Sequence, residues 1–389
     1  MSIASNLRNA ILRKPLCIDS NKILTNLCAR YCSNNTLQYD KDPSSDFLNP
    51  KIQSLLKSLT RVRLDKVFRK RSVTDNTVEY KFLTTEQLED EFKRIIAESE
   101  SNLQMPPVVM VKQDQQKIIS QDPALKNFAD SKFVITDITF GIKQNQRKVI
   151  VRQIDGTLEY APIETTKRMI QTYFPLPGRK IRTPRMFEEK NLQKCLDEFK
   201  YEFVLDRLCI QYEPFEKEFH SVSAKVYSHI NEHKKFDDLR STRHFGPMAF
   251  FLAWHKQIDD LLYDVIKRDY LRNGVELITI LYQIHKIPFD ESVIKKLESI
   301  PQSSDILGEL KKSYQGTSDD IHEEIKSAIG KSREDFEADD ICLGFIENFV
   351  KQHALKKVQL EMAIQTFKED NDEKKKLYEG LRKAHGVST

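Results

Sequence analysis

The run Ile258-Asp259-Asp260-Leu261-Leu262-Tyr263-Asp264-Val265-Ile266 decides the fold class. Its apolar members Ile258, Leu261, Leu262, Val265 and Ile266 fall at i, i+3, i+4, i+7 and i+8, which is one face of an α-helix and not the alternation of a strand. The same period returns in Phe219, Val222, Val226 and Ile230, and helical patterning dominates from about Met186 to His285. Gly246-Pro247 and Asn273-Gly274 punctuate it. Such short connections predict antiparallel helical hairpins stacked in series, without a repeat of fixed period.

Towards the amino terminus the period changes. Between Lys132 and Ala161, Val134, Ile138, Phe140 and Ile142 share one face of a twofold pattern, and Val149 and Val151 share another. Turns at Lys143 to Gln146 and at Asp155-Gly156 predict a three-stranded antiparallel meander. Upstream of it, Thr84 and Gln87 stand at capping-box spacing before a stripe of Leu88, Phe92, Ile95 and Ile96, and the helix must end before Pro106-Pro107. Ile52, Leu55, Leu56 and Leu59 mark another helix behind Pro50, running into a basic tract of Arg61, Arg63, Lys66, Arg69, Lys70 and Arg71.

The two ends differ in charge. Residues 1–39 hold one acid, Asp19, against Arg8, Arg13, Lys14, Lys22 and Arg30 in a background of Ser, Asn and Leu, which is a transit-peptide composition. Pro15, Asp19 and Lys22 interrupt every candidate secretory core, and Arg30-Tyr31-Cys32-Ser33 resembles a matrix-processing site, so the mature chain is expected to begin near Ser33 in the mitochondrial matrix. Residues 290–347 carry 15 acids against 7 Lys and Arg, the mark of a peripheral acidic insertion that would face solvent or a basic protein and avoid phosphates.

The expected class is therefore mostly α with a small antiparallel β meander (α+β): an irregular stack of helical hairpins, an acidic insertion and a long carboxy-terminal helix. Its segments are a mitochondrial presequence (1–32), a linker (33–49), an N-terminal helical segment (50–131), the meander (132–161), a helical core (162–286), the acidic insertion (287–345) and the C-terminal helix through Phe349, Val358, Met362 and Phe367 with its charged tail (346–389). The longest uncharged apolar stretch, Phe245 to Trp254, is half of the roughly 20 residues a bilayer span needs, so no membrane segment is expected.

Catalytic templates fail. With 11 glycines scattered singly there is no phosphate-cradling loop, no dinucleotide fingerprint and no nucleophile elbow, so no cofactor and no small-molecule substrate are expected. His229, Glu232 and His233 spell an inverted zinc-protease string, which on a polar surface reads equally as a solvated face. Cys195, Cys209 and Cys342 lie at no metal or disulfide spacing.

Net charge is only +4, but the cations are clustered. Arg179, Lys180, Arg182 and Arg185 form one acid-free group, and Lys143, Arg147, Lys148 and Arg152 form a second around the first β turn. Each suits phosphate contact through counterion release, or is an ordinary solvated face. Arg240 and Arg243 flank Ser241-Thr242 just before Phe245, where a helix begins. They are either a phosphate-binding corner at the helix start or partners of Asp237 and Asp238.

Three stretches carry a resemblance: Arg168-Met169-Ile170-Gln171-Thr172-Tyr173-Phe174-Pro175, Gly178-Arg179-Lys180-Ile181-Arg182-Thr183-Pro184 and Leu239-Arg240-Ser241-Thr242-Arg243-His244-Phe245-Gly246. Together they resemble the family of animal mitochondrial small-subunit ribosomal protein twenty-two. Met105-Pro106-Pro107-Val108, Phe133 to Ile142, Ile258 to Leu262 and Ala363 to Phe367 extend the likeness from about Thr84 to Phe367; the presequence, the linker and residues 287–345 depart from it. The resemblance implies a non-enzymatic constituent of the small-subunit body that touches small-subunit mitochondrial rRNA and neighbouring mitochondrial small-subunit ribosomal proteins. Residues alone reach only a matrix-targeted helical protein with basic patches, which leaves a free matrix RNA-binding or adaptor protein as the alternative.

Overall fold

A computed structural model describes residues 37–69, 80–114, 117–126, 130–300 and 331–384. The presequence, the Ser33 start, the Lys70 and Arg71 end of the first basic tract and the middle of the acidic region lie outside the described residues.

Order begins earlier than the linker composition implied. Tyr39 is packed edge-on against His220, Phe251 and Trp254, with ring centroids 5.4–6.1 Å apart. Asp40 accepts a 3.0 Å hydrogen bond from the Trp254 indole, and Lys41 lies 4.9 Å from the centre of that ring. Phe47, in the one-turn helix α1 (Ser44–Phe47), is buried against Phe250. A polar average over 33–49 hides two aromatic anchors, each burying enough apolar area to order its neighbours.

Helix α2 (Pro50–Thr60) starts on an Asn49 cap with Pro50 in its first turn and buries Ile52, Leu56 and Leu59. It does not continue into the basic tract: Arg61 turns to φ 50° and a separate turn, α3 (Leu64–Val67), follows. The expected capping box is present at the start of α4 (Thr85–Asn102), where Thr84 and Gln87 each hold the other's backbone amide.

The expected three-stranded antiparallel meander is present within 132–161, and a fourth strand from upstream joins it. Strands β1 (Ile118–Gln121), β2 (Phe133–Thr136), β3 (Val149–Arg152) and β4 (Thr157–Tyr160) form an antiparallel sheet in the order β1-β4-β3-β2. Val149 and Val151 are buried as their alternation required, and Gly156 makes the β3–β4 turn at φ 85°. The expected face of β2 is shorter: the strand ends at Thr136, and Ile138 and Phe140 stand exposed in the connection to β3.

Beyond the sheet come α5 (Ile163–Tyr173), α6 (Glu189–Asp197), α7 (Tyr201–Gln211), α8 (Lys217–His233), α9 (Phe245–Trp254), α10 (Asp259–Lys267) and α11 (Leu271–His285). All ten residues of α9 are buried. Its lack of a polar face is what a helix surrounded by protein requires, and α2, α8 and α11 pack around it.

The carboxy-terminal third is divided differently from the sequence reading. After α12 (Glu291–Ser299), the acidic segment does not run to 345 as a peripheral insertion. Helix α13 (Arg333–Gln352) packs on α11 and buries Phe336, Cys342, Leu343, Phe345, Ile346 and Phe349. Glu334, Glu337 and Asp340 are exposed on its outer face, so a count of charge missed the stripe behind them. The chain then breaks at 353–356, and α14 (Lys357–Ala384) packs on α10 and α13 through Leu360, Ile364 and Phe367, with Val358 and Met362 left exposed. Asp259 accepts the Leu355 and Lys356 amides at 2.7 Å each. Lys331 bridges Asp269 and Asp339 at 2.6 Å each and Lys374 of α14 pairs with Asp269 at 3.1 Å, tying both helices to the α10–α11 turn. Among the described residues no helix is long and apolar enough to cross a membrane.

Candidate nucleic-acid interface

Two basic groups distant in sequence meet at the carboxy-terminal end of α5. The Gln144 side-chain amide donates to the Phe174 carbonyl, and the Arg147 guanidinium stacks 3.8 Å from the centre of the Phe174 ring. From the other side, Gln171 donates to the Arg179 carbonyl at 3.2 Å. Unsatisfied carbonyls at a helix end favour cations nearby.

Residues 178–180 are fixed to α7 through the main chain. Arg207 donates to the Gly178 carbonyl at 2.9 Å. Gln211 accepts from the Lys180 amide at 3.0 Å and donates to the Lys180 carbonyl at 2.8 Å. Gly178 sits at φ +80° with Ile210 so close that a Cβ would lie 3.1 Å from it. This held backbone turns Lys180, Arg182 and Arg185 to solvent.

The nine sequence candidates then divide. Arg179 is 11% exposed, pairs with Glu213 at 2.7 Å and donates to the Ile210 carbonyl. Arg147 spends its guanidinium on the Asp137 and Thr139 carbonyls at 2.9 and 3.0 Å. Lys143, Lys148, Lys180, Arg182 and Arg185 are exposed; Lys148 faces Asp137 across the β2–β3 ladder, and none of the other four has an acidic partner among the described residues. Lys148 stands apart: it shares the parity of Ile150 and Arg152 on β3 and so projects from the open face of the sheet.

Arg240 and Arg243 do not make a phosphate corner. Arg240 is 3% exposed, pairs with Asp264 at 2.9 Å and Asp237 at 3.5 Å, and lies against the rings of Phe245 and Tyr270. Burial draws its pKa down, while Asp264 acts in the opposite direction. Arg243 donates twice to Asp206, at 2.8 and 3.1 Å. Ser241 and Thr242 do not cap α9; their hydroxyls donate to the carbonyls of Arg61 and Leu239. Lys66 closes this clasp by donating to the carbonyls of Asp237, Asp238 and Arg240. The ion-pair alternative is the one the geometry favours, with Asp264 and Asp206 as main partners in place of Asp238. Of the tract beginning at Arg61, Arg61 is likewise spent internally with Lys66: it stacks 3.6 Å from Tyr270 and donates to Asn273.

On α8, His229 shares a 2.9 Å hydrogen bond with the Tyr201 hydroxyl and stacks on His233 at 4.0 Å. Burial, then the neighbouring imidazole, lowers the His229 pKa. Among the described residues no group of three or more His, Cys, Asp or Glu is placed to hold a metal ion. Burial pushes the Cys209 thiol up to about 11 and Cys342 to about 12, so both are protonated thiols and poor ligands at neutral pH.

Comparison with known proteins supplies what geometry cannot. The family model described as mitochondrial 28S ribosomal protein S22 matches residues 45–286, ending at the carboxy terminus of α11, just before the acidic region. The chain is 34% identical over 258 residues to the small ribosomal subunit protein mS22 of Bos taurus, covering 66% of this chain and 72% of the relative. It is 32% identical over 261 residues to mS22 of Mus musculus, covering 67% and 72%. With more than half its length matched and relatives above 30% identity covered over two thirds, this chain belongs to the mitochondrial 28S ribosomal protein S22 family, whose members are components of the mitochondrial small ribosomal subunit.

Proposed function

We propose that this protein is a structural constituent of the mitochondrial small ribosomal subunit in the matrix, held to small-subunit rRNA by Lys143, Lys180, Arg182 and Arg185 and to neighbouring ribosomal proteins by its exposed apolar surface. The observation that carries the rRNA contact is the convergence of two acid-free basic segments, 143–148 and 179–185, on one end of α5, with their internal arginines consumed in anchoring the loops and Lys143, Lys180, Arg182 and Arg185 unpaired. Rigid backbone beneath flexible cations suits phosphate contact, because counterion release rewards charge while the loops lose little further entropy. The role needs no catalytic group.

The test is replacement of Lys143, Lys180, Arg182 and Arg185 together by Ala. The melting temperature of the purified chain should stay within a few degrees, since exposed substitutions typically move stability by less than about 0.5 kcal/mol each. The salt slope of small-subunit rRNA binding should fall by up to about four phosphate contacts, and co-sedimentation with the small subunit should weaken. An unchanged salt slope would refute these contacts, and a wild-type chain found only in light gradient fractions would refute the ribosomal assignment.

A further inference from the structure

We propose that the β2 edge of the sheet is a docking site for an extended, acid-bearing segment of a neighbouring small-subunit protein, which adds to the sheet as a fifth strand. The proposal rests on the small-subunit assignment above.

The ladder fixes which groups face outward. In the β2–β3 pairing, Phe133, Val134, Ile135 and Thr136 oppose Arg152, Val151, Ile150 and Val149 without a break, and the Asp137 amide donates to the Lys148 carbonyl at 3.1 Å. Bonded and non-bonded pairs alternate in an antiparallel ladder, so Ile135 and Phe133 are bonded to β3. The amide and carbonyl of Val134 and Thr136 therefore point away from the sheet. They form a straight, unbulged edge.

The opposite edge is different. Strand β1 shifts register between Ile118 and Ser120 and so carries an irregularity of the kind that blunts an edge against further pairing. Strand β2 has no such protection, and its apolar side chains are exposed: Ile135 is 50% accessible, and Ile138 and Phe140 just beyond it are 79% and 101%. A run of this kind on an isolated protein would be an aggregation hazard, which an assembled neighbour removes.

A polypeptide fits the surface better than a nucleic acid. Val134, Ile135 and Ile138 are aliphatic and offer bases no stacking surface, and the exposed Phe140 ring lies beyond the end of the strand. The Phe133 ring, the aromatic side chain on the strand itself, already has the Arg152 guanidinium 4.5 Å from its centre. Outward amides and carbonyls with alternating apolar side chains are the complement of another strand. The charge at the rim sets the partner's composition: Lys132 precedes the strand, exposed and without an acidic partner among the described residues, while Lys148 on the open face already has Asp137 opposite it on the ladder. An incoming strand carrying Asp or Glu among apolar residues would satisfy Lys132.

The test uses the full chain expressed in mitochondria with a photo-reactive benzoylphenylalanine at position 135, followed by isolation of small subunits and mapping of the adduct. The expected product is a cross-link to one extended segment of a small-subunit protein with alternating apolar residues and at least one acid. Val134→Pro removes an outward amide and leaves the β3 ladder bonded, so it should abolish the adduct at Phe140, probed in the same way, while the chain still co-sediments. Should that variant fail to fold, Ile135→Asp places an acid on the exposed face and should do the same. An adduct to rRNA, to a helical or basic segment, or to nothing in chains that co-sediment would overturn the proposal, as would an adduct that survives a folded variant. Loss of co-sedimentation by the unaltered chain would instead strike the small-subunit assignment.

Discussion

Helix α9 and the four-stranded sheet hold comparable runs of apolar residues and use them in opposite ways. In α9 all ten residues are buried, and the surrounding helices close around it. In the sheet one face buries Val149 and Val151, while Phe133, Val134 and Ile135 remain substantially exposed. The helical part completes its own core; the sheet leaves apolar surface for something else to cover. Hydrophobic burial that stabilises an isolated chain and burial that stabilises an assembly can thus sit within one fold.

That contrast can be broken most directly with paired substitutions. Phe250→Ala, at a site with no accessible surface, should destabilise the isolated chain by about 3–5 kcal/mol, whereas Phe133→Ala, at 42% exposure, should cost about 1 kcal/mol or less. Denaturant unfolding of each variant checks the difference, and equal losses would show that the sheet is as integral to the core as α9.

The clasp beside α9 offers a second comparison. Asp264 is 12% exposed and holds both Arg240 and Arg268, so Asp264→Ala strands a buried guanidinium and should cost about 3 kcal/mol. Lys148→Ala on the open sheet face should stay within about 0.5 kcal/mol. Thermal melts of the two variants should separate by several degrees.

A smaller effect is tied to pH. Glu276 accepts from Ser58 at 2.6 Å and from Asn273 at 2.9 Å where α2 meets α11, and burial raises its carboxyl to about 7. Its unfolded value is near the ordinary 4.5, so between these limits the folded chain binds more protons than the unfolded one. Stability from this group is fullest below about 4.5 and falls as pH rises through 7. Glu276→Gln should remove that component and gain on the order of 2 kcal/mol at pH 8 relative to pH 4.5, read from melts across the range. An unchanged pH slope would show that the carboxyl is effectively solvated.

Local rules were legible in the sequence and distant partners were not. The α4 capping box needed only Thr84 and Gln87, three residues apart. The α10 stripe needed only its period. Strand β1 gave no such signal: Ile118 to Gln121 has no clean alternation, and its partner β4 lies some forty residues away. Helix α13 was concealed because a count of charge over the whole acidic stretch registers its Asp and Glu and passes over the apolar period of Phe336, Leu343, Ile346 and Phe349 between them. The Arg240 clasp depends on Asp264, 24 positions along the chain, and only folding brings the two together. Among the candidate contacts, sequence located the basic segments, but which cations were already spent depended on carbonyls and acids supplied by other elements.

The anchoring of Tyr39, Asp40 and Lys41 on Trp254 gives the protein an optical property. Trp254 is the only tryptophan in the chain, and both its indole proton and one ring face are engaged by the first described residues. Its emission therefore comes from one site and responds to the seating of the amino-terminal segment on the helical core. A fluorimeter can follow that event in the full-length protein without any added label.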